Sequence, residues 1–214
     1  MLCLVIIVYN SDIEICDLNH AMNILDTLKP SQMKLLKIKH LEKGEVLFRE
    51  NDKCNCIGIV IYGQISIVTY LDDGNEIVFN TLKENGVFGN NLIFSSSPYY
   101  KGNIITNVSS KIALIQKKDL MVLLKTNEAF MIEYLNIQSD FTKILNNKIK
   151  LLSIDSAEER LMFYMHENAN EIEYNSISSL AKQLFLQRET LSRLLSRLEK
   201  QNRIIKKDNT LKIK

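Results

Sequence analysis

The sequence predicts an α+β fold: an N-terminal antiparallel β roll, double-stranded in the cupin-like manner, then one long helix, then a C-terminal helix-turn-helix closed by a small hairpin. Three observations predict it. Short, often β-branched apolar runs separated by turn signals fill Lys37 to Ile115. After Lys118 the apolar residues change to helical period. Between Ile177 and Glu199 two helical patterns follow one another across a very short break.

The runs of the first region are Glu45-Val-Leu-Phe, Ile57-Gly-Ile-Val-Ile, Ile65-Ser-Ile-Val-Thr, Ile77-Val-Phe, Asn103-Ile-Ile-Thr and Lys111-Ile-Ala-Leu-Ile. Asp73-Gly74 lies between two of them and reads as a hairpin, because that pair tolerates the positive φ of a type I′ turn. Gly44, Gly63, Gly86 and Gly89 punctuate the rest. Phe130, Tyr134, Ile137, Phe141, Ile144 and Ile149 then recur at helical steps with no Gly or Pro among them. A helix of this length would overrun one small roll, which favours a dimerisation seam over packing on its own domain. Ser156-Ala-Glu-Glu159 has the form of a capping box and marks a new helix, with a domain boundary near Leu152 to Asp155.

Ile177, Leu180, Ala181 and Leu184 give the next helix its packing face, with Ser178 or Ser179 able to cap it. The following helix runs from about Gln187 to Lys200. Its Leu191, Leu194, Leu195 and Leu198 fall on one arc, and Arg188, Glu189, Ser192, Arg193, Ser196 and Arg197 on the opposite one. Two apolar runs around Asp208-Asn209 complete a winged helix-turn-helix. The expected organisation is an extension of unknown role over 1–22, a β-roll domain over 23–125, a dimerisation helix over 126–153 and a DNA-binding domain over 154–214.

The 214 residues are 46% hydrophobic and 24% charged, with two prolines and seven glycines, which excludes disorder and long flexible linkers. The opening Leu2 to Val8 is too short to cross a membrane, so no membrane is implicated and a cytoplasmic location is expected. Net charge is +2 overall, yet Asn175 to Lys214 holds ten Lys or Arg against three acids, a net of +7. A basic end of this kind suits neutralisation of phosphates. An arginine fork can bond guanine O6 and N7, and a glutamate can accept from the cytosine amino group, so the polar face of the second helix suits base reading.

Cys3, Cys16, Cys54 and Cys56 match no zinc spacing and read as reduced thiols, with a redox or iron-sulfur switch as the alternative. No metal site and no catalytic residue is assigned. The close His-x-His pair of cupin metal centres is absent, as are G-x-S-x-G and Walker A motifs, so an enzyme is not expected. A module whose C-terminal helices contact a protein partner is the other alternative, and the +7 end argues against it.

Leu180-Ala-Lys-Gln-Leu-Phe-Leu-Gln-Arg-Glu-Thr-Leu-Ser-Arg193, continued by Leu194 to Glu199, closely resembles the recognition motif of the bacterial Crp/Fnr regulators, whose R-E-T-x-x-R core is specific. The resemblance extends from about Asn23 to the C-terminus. Gly44, Gly63, Asp73-Gly74 and Gly86-x-x-Gly89 are similar to the marks of that family's cyclic-nucleotide-type roll. It implies a homodimer on double-stranded DNA, at a palindromic TGTGA-like site, with RNA polymerase as a further partner. The implied DNA-binding residues are Gln187, Arg188, Glu189, Thr190, Ser192, Arg193 and Arg197. Phe185 departs from the pattern, standing where the family has a turn glycine. In the corresponding effector pocket, Gly89, Asn90, Lys101 and Gly102 stand where cyclic-AMP-binding members have Gly-Glu and Arg-Ser. Losing the carboxylate and the guanidinium fork weakens both the ribose and the phosphate contact, so no response to cyclic AMP is expected and the effector is unknown.

Overall fold

The computed structural model describes residues 23–71, 73–74 and 76–214. The expectations for the segment 1–22, including Cys3 and Cys16, lie outside the described residues. These residues divide into two compact units, 23–142 and 143–214. No helix among them is long and apolar enough to cross a membrane.

The first unit opens with two short 3-10 helices, Ile24–Thr27 and Pro30–Leu35. Eight strands follow: β1 (Leu36–Leu41), β2 (Val46–Phe48), β3 (Cys56–Tyr62), β4 (Ile65–Tyr70), β5 (Glu76–Leu82), β6 (Val87–Phe88), β7 (Asn103–Thr106) and β8 (Ser110–Gln116). They form two antiparallel four-stranded sheets, ordered β1-β8-β3-β6 and β2-β7-β4-β5. Strands β3 and β8 are the inner pair of their sheet, and helix α1 (Lys117–Thr126) also packs on both. That explains why they read as nearly unbroken apolar runs rather than alternating ones. Ile57, Ile59, Ile112 and Ile115 are wholly buried there, with Leu120 and Leu123 of α1. Gly58 pairs with Phe88 across β3 and β6, and a Cβ at 58 would stand 1.9 Å from the Phe88 ring. The hairpin predicted at Asp73-Gly74 joins β4 to β5. Gly74 has φ +81° and donates its N–H to the Leu71 carbonyl at 2.9 Å.

The helical region after Lys118 comprises α1 and a second, longer helix, α2 (Glu128–Ser153), close to the helix read over 126–153. Asn127 separates the two. Its side chain accepts from Phe130 N at 3.1 Å and donates to the Thr27 carbonyl at 2.9 Å and to Gln32 Oε1 at 2.8 Å. The stripe read from the sequence also divides. Phe130, Tyr134 and Ile137 are buried in the core of the first unit, so on this stretch the helix does pack on its own roll. The exposed apolar residues of α2 are instead Ile132, Leu135, Leu145 and Ile149. Ile132 lies two residues from Phe130, about 200° around the helix, and therefore on roughly the opposite side.

The second unit contains α3 (Ala157–Glu167), β9 (Glu171–Glu173), α4 (Ile177–Gln183), α5 (Arg188–Lys200), β10 (Ile204–Lys207) and β11 (Thr210–Ile213). Ser156 caps α3 by accepting from Glu159 N at 3.4 Å. The predicted cap of α4 moves by two or three residues. Ser176 accepts from Ser179 N at 3.0 Å, and Ser179 Oγ accepts from Ser176 N at 3.0 Å, so neither Ser178 nor Ser179 is the N-cap itself. The predicted C-terminal hairpin is present and gains a third strand, in the order β10-β11-β9. Leu161, Met165, Leu180, Leu184, Leu191 and Leu198 form the centre of this unit's core.

Candidate nucleic-acid interface and effector pocket

Helix α5 separates its residues by chemistry. Leu191, Leu194, Leu195 and Leu198 are each at most 5% exposed, and they pay for the helix's position by fixing it to α3 and α4. Gln187 is the N-cap, without a side-chain capping bond. Gln187, Arg188, Glu189, Thr190, Ser192, Arg193 and Arg197 are all exposed. Arg188 and Glu189 approach each other to 4.0 Å with both side chains about two-thirds in solvent, at 66% and 64%. An exposed pair of this kind contributes little to stability, which leaves both groups available to an incoming ligand.

The link between α4 and α5 is short because the chain reverses at Phe185, whose φ is +54°. A phenylalanine seldom adopts this left-handed conformation, which costs roughly 1–2 kcal/mol relative to the right-handed one. Two interactions hold it. The ring packs partly buried against the core of the unit, and the Phe185 carbonyl accepts from Arg160 Nη1 at 2.9 Å. The departure noted in the sequence thus falls on a position that demands glycine-like geometry, with phenylalanine forced into it.

Arg197 differs from its neighbours on the polar face. Its Nη2 lies 2.7 Å from Glu158 Oε2, while Glu158 Oε1 accepts from Arg203 Nη1. Glu158 sits in the first turn of α3, and its side chain is 27% exposed. With Ser156 and Ala157 it lines a recess beside Thr190, Arg193 and Arg197. The sequence reading did not single out Glu158. Its partners are 39 and 45 residues away, and no local signal marks such a pairing.

In the first unit, the proposed effector residues differ in their surroundings. Gly89 has φ +76°, and a Cβ there would lie 2.8 Å from the Cys56 carbonyl and 3.2 Å from Cys54 Sγ. Asn90 is buried, at 4% exposure, and faces α2. Its Nδ2 donates to Gln138 Oε1 at 2.6 Å, and its carbonyl accepts from Gln138 Nε2 at 3.0 Å and from Tyr134 Oη at 3.1 Å. Burial pushes the Tyr134 hydroxyl up to about 12, so it remains a donor at neutral pH. Lys101 is exposed, and Gly102 is buried, where a Cβ would meet the Val68 carbonyl at 2.8 Å. No hydrogen bond among the described residues joins Asn90 to Lys101.

Cys54 and Cys56 are free and buried beside Tyr100. Cys56 Sγ lies 3.9 Å from Tyr100 Oη, and burial pushes both thiols up. Protonated, enclosed thiols are poor nucleophiles, so Cys54 and Cys56 are poorly placed for redox chemistry. Among the described residues no cluster of three or more His, Cys, Asp or Glu side chains could hold a metal.

Comparison with known proteins agrees with this architecture. Residues 38–127 match the family of the cyclic nucleotide-binding domain. No curated protein matches the chain in sequence. Among solved structures, a CooA variant from Carboxydothermus hydrogenoformans is similar at TM-score 0.63 and 16% identity, covering 96% of this chain and 94% of its own. The catabolite activator protein of Thermus thermophilus gives 0.54 and 14%, covering 90% and 94%. The c-di-GMP-responsive global regulator CLP of Xanthomonas campestris gives 0.53 and 18%, covering 86% and 99%. The chain thus has the α+β fold of these solved structures, residues 38–127 match the cyclic nucleotide-binding domain, and the resemblance drawn from its recognition motif is consistent with both.

Proposed function

We propose that the chain is a sequence-specific DNA-binding transcription regulator that acts as a homodimer and does not depend on cyclic AMP. The exposed face of α5 carries the reading: Arg188, Glu189, Ser192 and Arg193 stand clear of a helix whose leucines are buried. In the major groove Arg188 and Arg193 would bond guanines and Glu189 a cytosine amino group, with Gln187, Thr190 or Ser192 near phosphate. The hairpin β10–β11 presents Lys206 and Lys207, both exposed, for flanking phosphates.

Dimerisation is assigned to α2. Ile132 and Leu135 are three residues apart and Ile149 lies fourteen beyond Leu135, the interval of two heptads. All three are exposed, at 49%, 54% and 49%, and a second copy of the helix would cover them. Two copies related by a dyad would read half-sites about one helical turn apart, each TGTGA-like. RNA polymerase is the partner that such a regulator would address, in the cytoplasm and without chemistry of its own.

Independence from cyclic AMP is supported by Asn90, which offers a ribose no carboxylate and has its amide already engaged by Gln138. Selection from randomised duplexes, with and without cyclic AMP, tests the reading. Enrichment of a palindrome regardless of nucleotide is expected. Enrichment only with nucleotide would overturn the effector assignment, and none under any condition would overturn DNA binding.

A further inference from the structure

We infer that Glu158 is a positioning residue that withholds Arg197 and Arg203 from DNA, so that base reading is confined to the first half of α5. The inference rests on the DNA-binding reading given above. Two guanidinium groups, one on the third turn of α5 and one just before β10, converge on the two oxygens of a single carboxylate. Each oxygen accepts from one arginine, so both bonds are charge-assisted. The remaining arginines of the α5 face, Arg188 and Arg193, have no such partner: Arg188 meets only Glu189 at 4.0 Å, and Arg193 forms no ion pair among the described residues. The arginines of the face thus have no carboxylate partner beyond Glu189 in its first half and are engaged by Glu158 further along, while Lys200 at the helix end is exposed.

The recess that Glu158 lines contains Thr190, Arg193 and Arg197, so the carboxylate lies beside the path a phosphate would take to α5. A phosphate arriving there competes with Glu158 for Arg197 and is itself repelled by the carboxylate. Neutralising Glu158 therefore adds cations to the interface without adding base contacts. Such contacts raise affinity for any duplex and carry no sequence information.

Glu158→Gln keeps the shape and the acceptor oxygen of the side chain while removing its charge. Binding of wild type and variant to a selected palindrome and to a scrambled duplex, each over a salt series, is the test. The variant is expected to bind the scrambled duplex about threefold to tenfold more tightly at low salt, with a log–log salt slope steeper by about 1 to 2. Its preference for the palindrome should fall by a similar factor, and Arg197→Ala in the Glu158→Gln background should reverse part of the gain. An unchanged slope, or weaker binding by Glu158→Gln, would overturn the inference while leaving DNA binding in place. Absence of binding by the wild type to every duplex would sink the DNA-binding reading and this inference with it.

Discussion

Asn90, buried in the first unit, donates its amide hydrogen to Gln138. The reciprocal bond from Gln138 Nε2 to the Asn90 carbonyl makes the pair a two-point contact between the turn after β6 and α2. Gln138→Ala leaves a buried amide short of its partner, so a loss of about 1–3 kcal/mol is expected in urea unfolding. Asn90→Ala combined with Gln138→Ala should cost less than the two singles together. Additive losses would show that the pair is not coupled. Lys148, at the other end of α2, gives a pH signature. Burial lowers its ammonium to about 8, so between about pH 8 and the ordinary lysine value near 10.4 the unfolded chain holds a proton that the folded chain has released. Stability should therefore rise with pH across that window, and Lys148→Met should flatten the rise. Urea midpoints at about pH 7.5 and about pH 9.5 for both proteins would show it.

At the level of elements, the strands and α5 were legible in the sequence because each carries its own period and its own punctuation. The six apolar runs correspond to β2, β3, β4, β5, β7 and β8, and the leucine arc of α5 is the buried one. Elements defined by distant partners were not legible. β9 is three residues long and exists by pairing with β11, and β6 is two residues long and pairs with β3. The break at Asn127 depends on Thr27 and Gln32, about a hundred residues earlier. The apolar stripe read on α2 divides for a related reason. Periodicity shows that a helix has an apolar face, and this helix has two, one covered by its own unit and one exposed. The division of labour on α5 predicts opposite outcomes for neighbouring positions. Leu198→Ala should cost about 2–5 kcal/mol of stability, whereas Ser192→Ala should stay within about 0.5 kcal/mol in the same melt. On α2, Ile132→Asp with Leu135→Asp should shift sedimentation from dimer to monomer at micromolar concentration. A dimer unchanged by both would remove this face from the assembly.

For the whole molecule, charge and symmetry set how binding would behave. The basic excess lies wholly in residues 175–214, at +7 against a net −5 for the rest of the chain, so affinity for any duplex should fall steeply with salt while discrimination among duplexes should come from a few side chains on α5. Those side chains were named from the sequence, and the structure leaves them exposed. What the sequence hid is the partner of Arg197, since Glu158 lies in an ordinary helix start 39 residues upstream. Asn90 was singled out from the sequence, but its engagement with Gln138 requires the fold to bring residues 48 apart together.

The most direct measurement compares wild type with Arg193→Ala on the selected palindrome and on every single base-pair change within one half-site. The account predicts that the variant loses about 1–3 kcal/mol on the palindrome and no longer discriminates at one guanine position, while discrimination elsewhere is kept. A uniform loss across all sites would contradict it, because Arg193 would then contact phosphate rather than a base. An unchanged pattern would remove α5 from the interface.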